Sequence, residues 1–580
     1  MKTINILVAG PAGTGLDSVA HTLALSFTRE GLFAHTTSEY ENRIRGGHNY
    51  SCVRISSEKI LSHSNNFEVL IAMDLQSIKL HINEVKKNGI ILFDASLNIE
   101  DVKKEGVNFV PVPILKLAEE AGLKLTANVV AVGALFAVLQ RSSDTFVTVL
   151  ESIFSKKGAE VVNMNIKALQ LGYDYVKNNT NFALRFAEKG DKTARFLMNG
   201  NEAISLGCIK GGLKYLAAYP MTPGSTIMTT LAKESQKYDI VVTHVEDEIA
   251  ALNMAIGGGY AGVRSATATS GGGFALMGEA ISLAGMTEIP VVVFIAQRPG
   301  PSTGLATKTA QGDLNMAINC GQGDFPRLVI AAGNHEDCVL LTAEALNYAE
   351  KYQLPVIFLT DKYIADSYQT CTSDIADKVK IIRSNVADQD IINNSEKSID
   401  GRFKRYQITK EGISLRSLPG MLGGEYVCNS YEHNEYGLAT EDPQEIIEMM
   451  DKRQRKMELL TKNLPKAKIY GDLEKADFVF YVWGSTTNAS LEAKDVLEKE
   501  GKNIAVVQMQ YLYPFDTKGI TAMFKNKKIV CIEANQAGQL QQLLKNNTGI
   551  IADFSIRKYD GYPISGEWIL DEVRQLNLCT

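Results

Sequence analysis

The sequence contains no apolar run long enough to cross a membrane and no closely spaced pair of cysteines. A membrane-spanning helix needs about 20 consecutive, mostly apolar residues. The eight cysteines are scattered singly, and such cysteines are usually reduced core residues in intracellular proteins. We therefore expect no membrane segment, and no zinc or iron–sulfur site carried by this chain itself.

The sequence also lacks a strong charge of either sign. Its net charge is −6 over 580 residues and its isoelectric point is near 5.9, which argues against nucleic acid as the main partner. The segment Met1–Val8 enters a strand-like pattern directly, without the charged and apolar regions of a secretory signal. We therefore expect a cytoplasmic location.

Short apolar runs alternate with helical patterns along most of the chain, which predicts an α/β fold with parallel sheets. The length predicts about three domains at about 100–200 residues each. We place a Rossmann-like domain at residues 1–185, a second α/β domain at 195–400, an irregular connecting segment at 401–464, and a third α/β domain at 465–580. Within the connecting segment, Gln444–Leu464 has the pattern of one charged helix.

The most distinctive short segment is Tyr219–Ser225, in which Pro220 and Pro223 bracket Met221 and Thr222. Proline fixes φ and restricts the residue before it, so the Thr222 hydroxyl is held in one place. A helix is predicted at Ile227–Ser235, and we expect Ser225 and Thr226 to cap it. Such a strand–turn–helix junction can hold an anionic ligand, although a plain structural turn fits equally well.

Two further segments offer groups that suit phosphate or carboxylate. The run Gly10–Gly15 has the spacing G-x-x-G-x-G, which differs from the dinucleotide fingerprint, so a tight turn or another anionic contact is favoured over NAD. The loop Ser38–Asn49 is either a solvated loop or an anion-binding loop. Its candidate anion-binding residues are Arg43, Arg45, Gly46 and Gly47.

Three more segments in the second domain offer candidate site residues. Glu248 lies at the start of a predicted helix, where an acid either interacts favourably with the helix dipole or points into a pocket. The small residues of Ala266–Gly273 form a predicted turn that allows close backbone approach, or that only packs tightly. Arg298 follows the predicted strand Val291–Ala296, at the end where open α/β sheets bind ligands, with a surface salt bridge as the alternative.

Together these residues resemble the 2-oxoacid:ferredoxin oxidoreductase family, specifically an α subunit with the γ domain fused at its N-terminus, most like the 2-oxoglutarate branch. Tyr219–Pro223 is similar to the family's Y-P-I-T-P motif, with Met221 in place of isoleucine. Arg298–Gly304 resembles its R-x-G-P-S-T-G segment, and Tyr40–His48 resembles a γ-domain signature. Gly224 departs from the pattern, because serine is usual there.

The resemblance implies a fold of three parts: a γ domain, a domain that binds the thiamine pyrimidine, and a transketolase-C-terminal-like domain. It implies that Glu248 is catalytic and activates thiamine diphosphate. It further implies that Arg298 pairs with the substrate carboxylate and that Thr222, Tyr219 and Pro220 contact the substrate.

The resemblance also assigns residues to the cofactor and to coenzyme A. Those implied to line thiamine diphosphate are Glu248, Pro223, Ser225, Gly271 and Gly272. Those implied to hold coenzyme A, a substrate in this family, are Arg43, Arg45, Gly46 and Gly47. No protein-held metal is expected in this chain.

The chain lacks the G-D-G segment that usually binds the diphosphate and magnesium, and it lacks cysteines for a [4Fe–4S] cluster. The resemblance therefore implies a separate β subunit that carries Mg²⁺ and the cluster, an αβ or (αβ)2 assembly, and ferredoxin as electron acceptor. The implied reaction is reversible, coenzyme-A-dependent oxidative decarboxylation of 2-oxoglutarate. Pyruvate and branched-chain 2-oxoacids remain open as substrates, as do an NAD-linked dehydrogenase and a non-catalytic assembly subunit.

Overall fold

The structure is a computed structural model that describes residues 2–41, 47–191 and 193–578. The chain divides into two units, which are described separately. The first comprises residues up to Asn199 together with Asp366–Ser373 and Ser565–Leu578, and the second comprises Gly200–Ala365 and Asp374–Ile564. Within the described ranges, no helix combines the length and the apolar composition that crossing a membrane requires.

The first unit is built on an eight-stranded sheet with the order β6-β5-β4-β1-β3-β2-β14-β7. Its strands are β1 (Thr3–Pro11), β2 (Phe33–Glu39), β3 (His48–Ser56), β4 (Phe67–Ala72), β5 (Val85–Asp94), β6 (Asn108–Val112), β7 (Arg195–Asn199) and β14 (Tyr368–Thr372). Strands β1, β4, β5 and β6 are parallel, as the sequence predicts. The pairs β1–β3, β2–β3, β2–β14 and β7–β14 are antiparallel. Since β2 and β3 are consecutive with a short connection, they can pair only in this way.

The helices of the first unit cover this sheet. They are α1 (Leu16–Arg29), α2 (Leu75–His81), α3 (Ile114–Ala121), α4 (Ala127–Val138), α5 (Asp144–Phe154), α6 (Ala159–Asn179) and α20 (Gly566–Gln575). Helix α4 is apolar on nearly every side and is buried in the core. It lies so close to α6 that a Cβ on Gly133 would stand 1.9 Å from the Leu169 carbonyl oxygen, so only glycine fits there.

The second unit contains a seven-stranded sheet with the order β18-β12-β13-β11-β10-β8-β9, parallel except for β18. Its strands are β8 (Tyr215–Ala218), β9 (Val241–His244), β10 (Ser265–Thr269), β11 (Val291–Gln297), β12 (Leu328–Ala331), β13 (Pro355–Asp361) and β18 (Tyr511–Tyr513). The helices that precede or follow these strands are α7 (Gly200–Lys210), α8 (Ser225–Tyr238), α9 (Glu248–Tyr260), α10 (Gly271–Leu276), α11 (Gly278–Met286), α12 (Leu314–Asn319), α13 (His335–Tyr352) and α14 (Lys362–Asp366).

The remainder of the second unit holds a five-stranded sheet with the order β15-β17-β16-β19-β20. Its strands are β15 (Lys468–Tyr470), β16 (Phe478–Trp483), β17 (Ile504–Met509), β19 (Ile529–Glu533) and β20 (Phe554–Arg557), and the helices α17 (Thr486–Lys499), α18 (Thr517–Met523) and α19 (Gln539–Thr548) accompany them. The connecting segment forms the short helix α15 (Gln389–Asn394) and the long helix α16 (Pro443–Asn463). The α/β class is confirmed, as is the helix predicted at Gln444–Leu464.

Four neighbouring strands of the seven-stranded sheet, β11, β10, β8 and β9, are parallel. Their carboxyl ends therefore lie along one edge of the sheet, and the loops that follow them start side by side. This edge is where an open α/β sheet binds its ligands.

Candidate active site

The turn after β8 is held by hydrogen bonds to three successive backbone carbonyls. The Met221 carbonyl accepts from the Ser225 N–H at 3.1 Å, the Thr222 carbonyl from Nη1 of Arg298 at 2.8 Å, and the Pro223 carbonyl from Nδ2 of Asn201 at 2.8 Å. Thr222 itself is exposed. The turn thus presents Thr222 from a fixed backbone, and the sequence-predicted residues Thr222 and Arg298 are brought together.

The other predicted residues of this turn differ in exposure. Tyr219 and Pro220 are exposed and Pro223 is buried. Ser225 is the first residue of α8, whose N-cap is Gly224 without a side-chain hydrogen bond. The capping role predicted for Ser225 and Thr226 is therefore wrong, because α8 already begins at Ser225.

Glu248 is the first residue of α9 and is 3% exposed. The side chain of Asp247 caps this helix by accepting a hydrogen bond from the Ala250 N–H at 2.7 Å, which fixes the start of the helix at Glu248. A Cβ built on Gly273 would lie 2.6 Å from both Cγ and Oε1 of Glu248, so the carboxyl group packs directly on the Gly273 backbone. Among the described residues, Oε1 of Glu248 is buried and meets no hydrogen-bond donor. A buried carboxyl oxygen without a donor is costly to the folded state.

The segment Ala266–Gly273 is a strand followed by a helix, so the predicted turn is wrong over most of its length. Residues 265–269 form β10, an interior strand of the sheet in which all five residues are buried. Gly271–Gly273 then open α10. Gly271 is buried and Gly272 is exposed. A Cβ built on Gly272 would lie 3.8 Å from the Ser302 carbonyl oxygen, its nearest neighbour.

Arg298 follows the last residue of β11 and is partly exposed. Near it lies Asp313, which the sequence did not single out. Burial raises the pKa of Asp313 to about 6, and the positive charge of Arg298 opposes that rise. The Asp313 carboxyl rests on Gly271, where a Cβ would stand 2.4 Å from Oδ2. The sequence signal available for Asp313 was its position just before a short helix, which predicts only a cap.

Asn201 was also missed as a site residue. It lies in α7, it is fully buried, and its amide holds the Pro223 carbonyl. Its Oδ1 atom is buried and unpaired among the described residues. No local pattern indicates this contact, because the two segments meet only in the folded chain.

Large apolar side chains are exposed on the elements that carry the site. Those at or after the carboxyl ends of β8, β9 and β10 are Tyr219, Ile249, Met254 and Leu276. Clusters of exposed apolar side chains are typical of surfaces that another protein covers.

The predicted coenzyme A loop belongs to the first unit, and Arg43, Arg45 and Gly46 lie outside the described residues. Gly47 adopts φ +111°, and a Cβ there would stand 2.8 Å from Oε2 of Glu41. The Gly47 carbonyl accepts from the Ala12 N–H at 3.2 Å, so the loop ends beside the predicted glycine turn Gly10–Gly15. Within that turn, Gly15 has φ +80° and is the N-cap of α1.

Family models match three parts of the chain. The model described as pyruvate ferredoxin/flavodoxin oxidoreductase matches residues 5–175, and its thiamine-diphosphate-binding counterpart matches residues 206–452. The transketolase C-terminal domain matches residues 468–539. These three ranges run in the order that the sequence predicts.

Similar proteins cover nearly the full chain. A 2-oxoacid:ferredoxin oxidoreductase α subunit from Aeropyrum pernix is 31% identical over 99% of this chain and 98% of its own length. The 2-oxoglutarate oxidoreductase subunit KorA of Mycobacterium tuberculosis is 26% identical over 94% of this chain and 87% of its own. The solved 2-oxoglutarate:ferredoxin oxidoreductase of Magnetococcus marinus, with 2-oxoglutarate, coenzyme A and succinyl-CoA bound, is 32% identical with a TM-score of 0.93 over both whole chains. This chain belongs to the 2-oxoacid:ferredoxin oxidoreductase family, as an α subunit with a fused γ domain.

Proposed function

We propose that this subunit takes part in coenzyme-A-dependent oxidative decarboxylation of 2-oxoglutarate, with electrons passing to ferredoxin. The observation that carries the proposal is the meeting of a fixed hydroxyl-bearing turn, a buried glutamate and an arginine along one edge of a parallel sheet. The names of the relatives favour 2-oxoglutarate over pyruvate and branched-chain 2-oxoacids.

The residues around Glu248 fit the pyrimidine half of thiamine diphosphate. The buried Oε1 of Glu248 meets no donor among the described residues, and Gly273 beside it keeps the space free of side chains. Glu248 would hold a proton between its carboxyl group and a ring nitrogen, and Gly271, Gly272, Pro223 and Ser225 would form the walls. When bound, thiamine diphosphate supplies the electron sink for decarboxylation.

Arg298 and the turn suit a 2-oxoacid. One guanidinium N–H of Arg298 is used on the Thr222 carbonyl at 2.8 Å, and the fork has five N–H donors in all, so the rest remain for a carboxylate. The Thr222 hydroxyl would donate to the substrate, and Tyr219 and Pro220 would contact its carbon chain. Each charge-assisted hydrogen bond of this kind contributes about 1.5–3 kcal/mol.

The site is half of a complete one. The exposed apolar residues around it, including Ile249, Met254 and Leu276, support a protein partner on this face. We assign Mg²⁺ and a [4Fe–4S] cluster to a separate β subunit, in an αβ or (αβ)2 assembly. The γ domain would contribute Gly47 and the adjoining arginines to coenzyme A, and the assembly would act in the cytoplasm.

The test is turnover of a 2-oxoacid panel by this chain co-expressed with its β subunit, followed as coenzyme-A-dependent viologen reduction. We expect the highest kcat/KM with 2-oxoglutarate and no activity from this chain alone. Full activity of the isolated chain would refute the shared site. A nicotinamide absorbance change without the β subunit would favour an NAD-linked dehydrogenase instead.

A matched pair of variants tests the role of Glu248. Because general acid–base groups contribute about 10²–10⁴-fold, Glu248→Gln should lower kcat by that factor in the assembled complex. The control is Glu246→Gln, which removes an exposed acid two residues away and should leave kcat unchanged. If Glu248→Gln remained fully active, this chain would be an assembly subunit without a catalytic role.

A further inference from the structure

Two carboxyl groups flank the glycine triplet Gly271–Gly273. Glu248 packs on Gly273, and Asp313 packs on Gly271. Each carboxyl has one buried oxygen that meets no hydrogen-bond donor among the described residues, Oε1 of Glu248 and Oδ2 of Asp313. The proposed function gives a task only to the first, so the second requires its own explanation.

Asp313 is not explained as a helix cap. It occupies the N-cap position of α12, where an aspartate usually accepts a hydrogen bond from a backbone N–H, but its side chain makes no such bond. At the N-cap of α9, by contrast, Asp247 does accept from the Ala250 N–H. The carboxyl group of Asp313 is directed to the glycine triplet instead of to its own helix.

The backbone of Asp313 is held at its N–H and at its carbonyl oxygen, which accepts from the Ala317 N–H at 2.8 Å. Its N–H donates to Oε1 of Gln297 at 3.0 Å, and Gln297 is the residue before Arg298. Two residues earlier, the buried Gln311 exchanges hydrogen bonds of 2.8 Å with the backbone of Ala534 and donates to the Trp483 carbonyl at 2.9 Å. These bonds fix the backbone from which the Asp313 carboxyl group projects.

The electrostatic surroundings of Asp313 are simple. Arg298 is the charged group that acts on the pKa of Asp313, and its positive charge lowers that pKa. Glu248 is the other titratable group beside the glycine triplet, where it packs on Gly273. The neighbouring side chains of Gln297 and Gln311 are neutral. An ionised Asp313 would therefore offset the positive potential with which Arg298 attracts a carboxylate.

We propose that Asp313 is a positioning residue that tunes Arg298, so that carboxylate binding at this site weakens when Asp313 ionises. The inference rests on the proposed function, because it takes Arg298 as the carboxylate-binding group. Burial raises the pKa of Asp313 to about 6, so the change falls between pH 6 and pH 8. The protonated fraction drops about 50-fold over that interval, which sets the upper limit of the change in affinity.

The test is calorimetric binding of glutarate, a dicarboxylate without the reactive 2-oxo group, to the full chain assembled with its β subunit. In the wild type we expect the Kd to rise at least about fivefold from pH 6 to pH 8, within the 50-fold limit. In Asp313→Asn the Kd should stay low and nearly constant. In Glu248→Gln the rise should persist, which separates Asp313 from the other carboxyl group. Asp442→Asn, at the distant cap of α16, is the control for a general effect of losing an aspartate.

A second readout separates tuning from a structural role. The KM for the 2-oxoacid should rise with pH in the wild type and remain flat in Asp313→Asn, with kcat little changed. A pH-dependent Kd that survives in Asp313→Asn, or a flat Kd in the wild type, would overturn the proposal while leaving turnover of the 2-oxoacid panel intact. Loss of glutarate binding in every protein would overturn the carboxylate site itself, and the panel would then decide the proposed function separately.

Discussion

Replacement of Gly273 by alanine adds one methyl group at the point where α10 meets Glu248. The new Cβ would lie 2.2 Å from Oγ1 of Thr269 and 2.6 Å from Cγ and Oε1 of Glu248, whereas ordinary contacts begin near 3.4 Å. Because β10 is fixed in the centre of the sheet, Glu248 must retreat by about 1 Å. A misplacement of about 1 Å in a catalytic site can cost about 10²-fold in rate. We therefore expect kcat to fall about 100-fold.

The same substitution should leave the protein folded. Overpacking of a core typically costs about 1–3 kcal/mol, and replacing glycine by alanine within a helix returns about 0.5–1 kcal/mol. The net loss of about 0–2.5 kcal/mol is small for a core of this size. The variant should therefore unfold cooperatively at a slightly lower temperature, which separates an effect on the site from an effect on the fold.

The assay is 2-oxoacid-dependent viologen reduction by the assembled complex, with thermal unfolding measured on the same samples. Gly278→Ala is the matched control, because it lies at the start of the next helix and its Cβ would come no closer than 3.7 Å to Cys320 Sγ. That control should keep wild-type activity. Equal activity in Gly273→Ala and Gly278→Ala would refute the argument that contact with Gly273 sets the working position of Glu248.

Three further outcomes follow from buried polar groups. Glu288 is buried against Lys452 and Lys456, whose charges hold its pKa below the usual range although burial alone would raise it. Glu288→Gln should lower the free energy of unfolding, measured in urea, by about 3–5 kcal/mol, because it leaves buried ammonium groups without a carboxylate. Burial lowers the pKa of Lys452 to about 7, so the folded state loses this proton at a lower pH than the unfolded state does. The free energy of unfolding should therefore rise between about pH 7 and pH 10, and the rise should be smaller in Lys452→Met. Asn201→Ala leaves the Pro223 carbonyl without its donor and should raise the KM for the 2-oxoacid without abolishing folding. An unchanged KM would show that the hydrogen bonds to the Met221 and Thr222 carbonyls suffice to fix the turn.

Much of the fold could be predicted because parallel strands buried on both faces are continuous apolar runs. The predicted strand Val291–Ala296 coincides with β11, which extends by one further residue to Gln297. Strand β14 could not be predicted as part of the first sheet. It pairs with β2 and β7, and the partners of a strand depend on contacts between distant parts of the chain.

The candidate site divides in the same way. Thr222, Glu248 and Arg298 could be found because each stands in a local pattern, at the point where a predicted strand ends. Ala266–Thr269 was misjudged because small residues favour turns in isolation, whereas here they form a fully buried interior strand of the sheet. Asp313 could not be found, since it contacts Gly271 from a segment that is distant in the sequence.

The geometry also explains why three glycines occur in succession at the start of α10. Gly271 and Gly273 each leave room for a carboxyl group, that of Asp313 and that of Glu248. Gly272 between them is exposed, and no side chain approaches its Cβ position within 3.8 Å. A ligand that approaches the backbone at Gly272 therefore finds a carboxyl group on either side of it. The two outer glycines leave room for acids and the middle one keeps its backbone accessible, so a side chain at any of the three would disturb a different part of this surface.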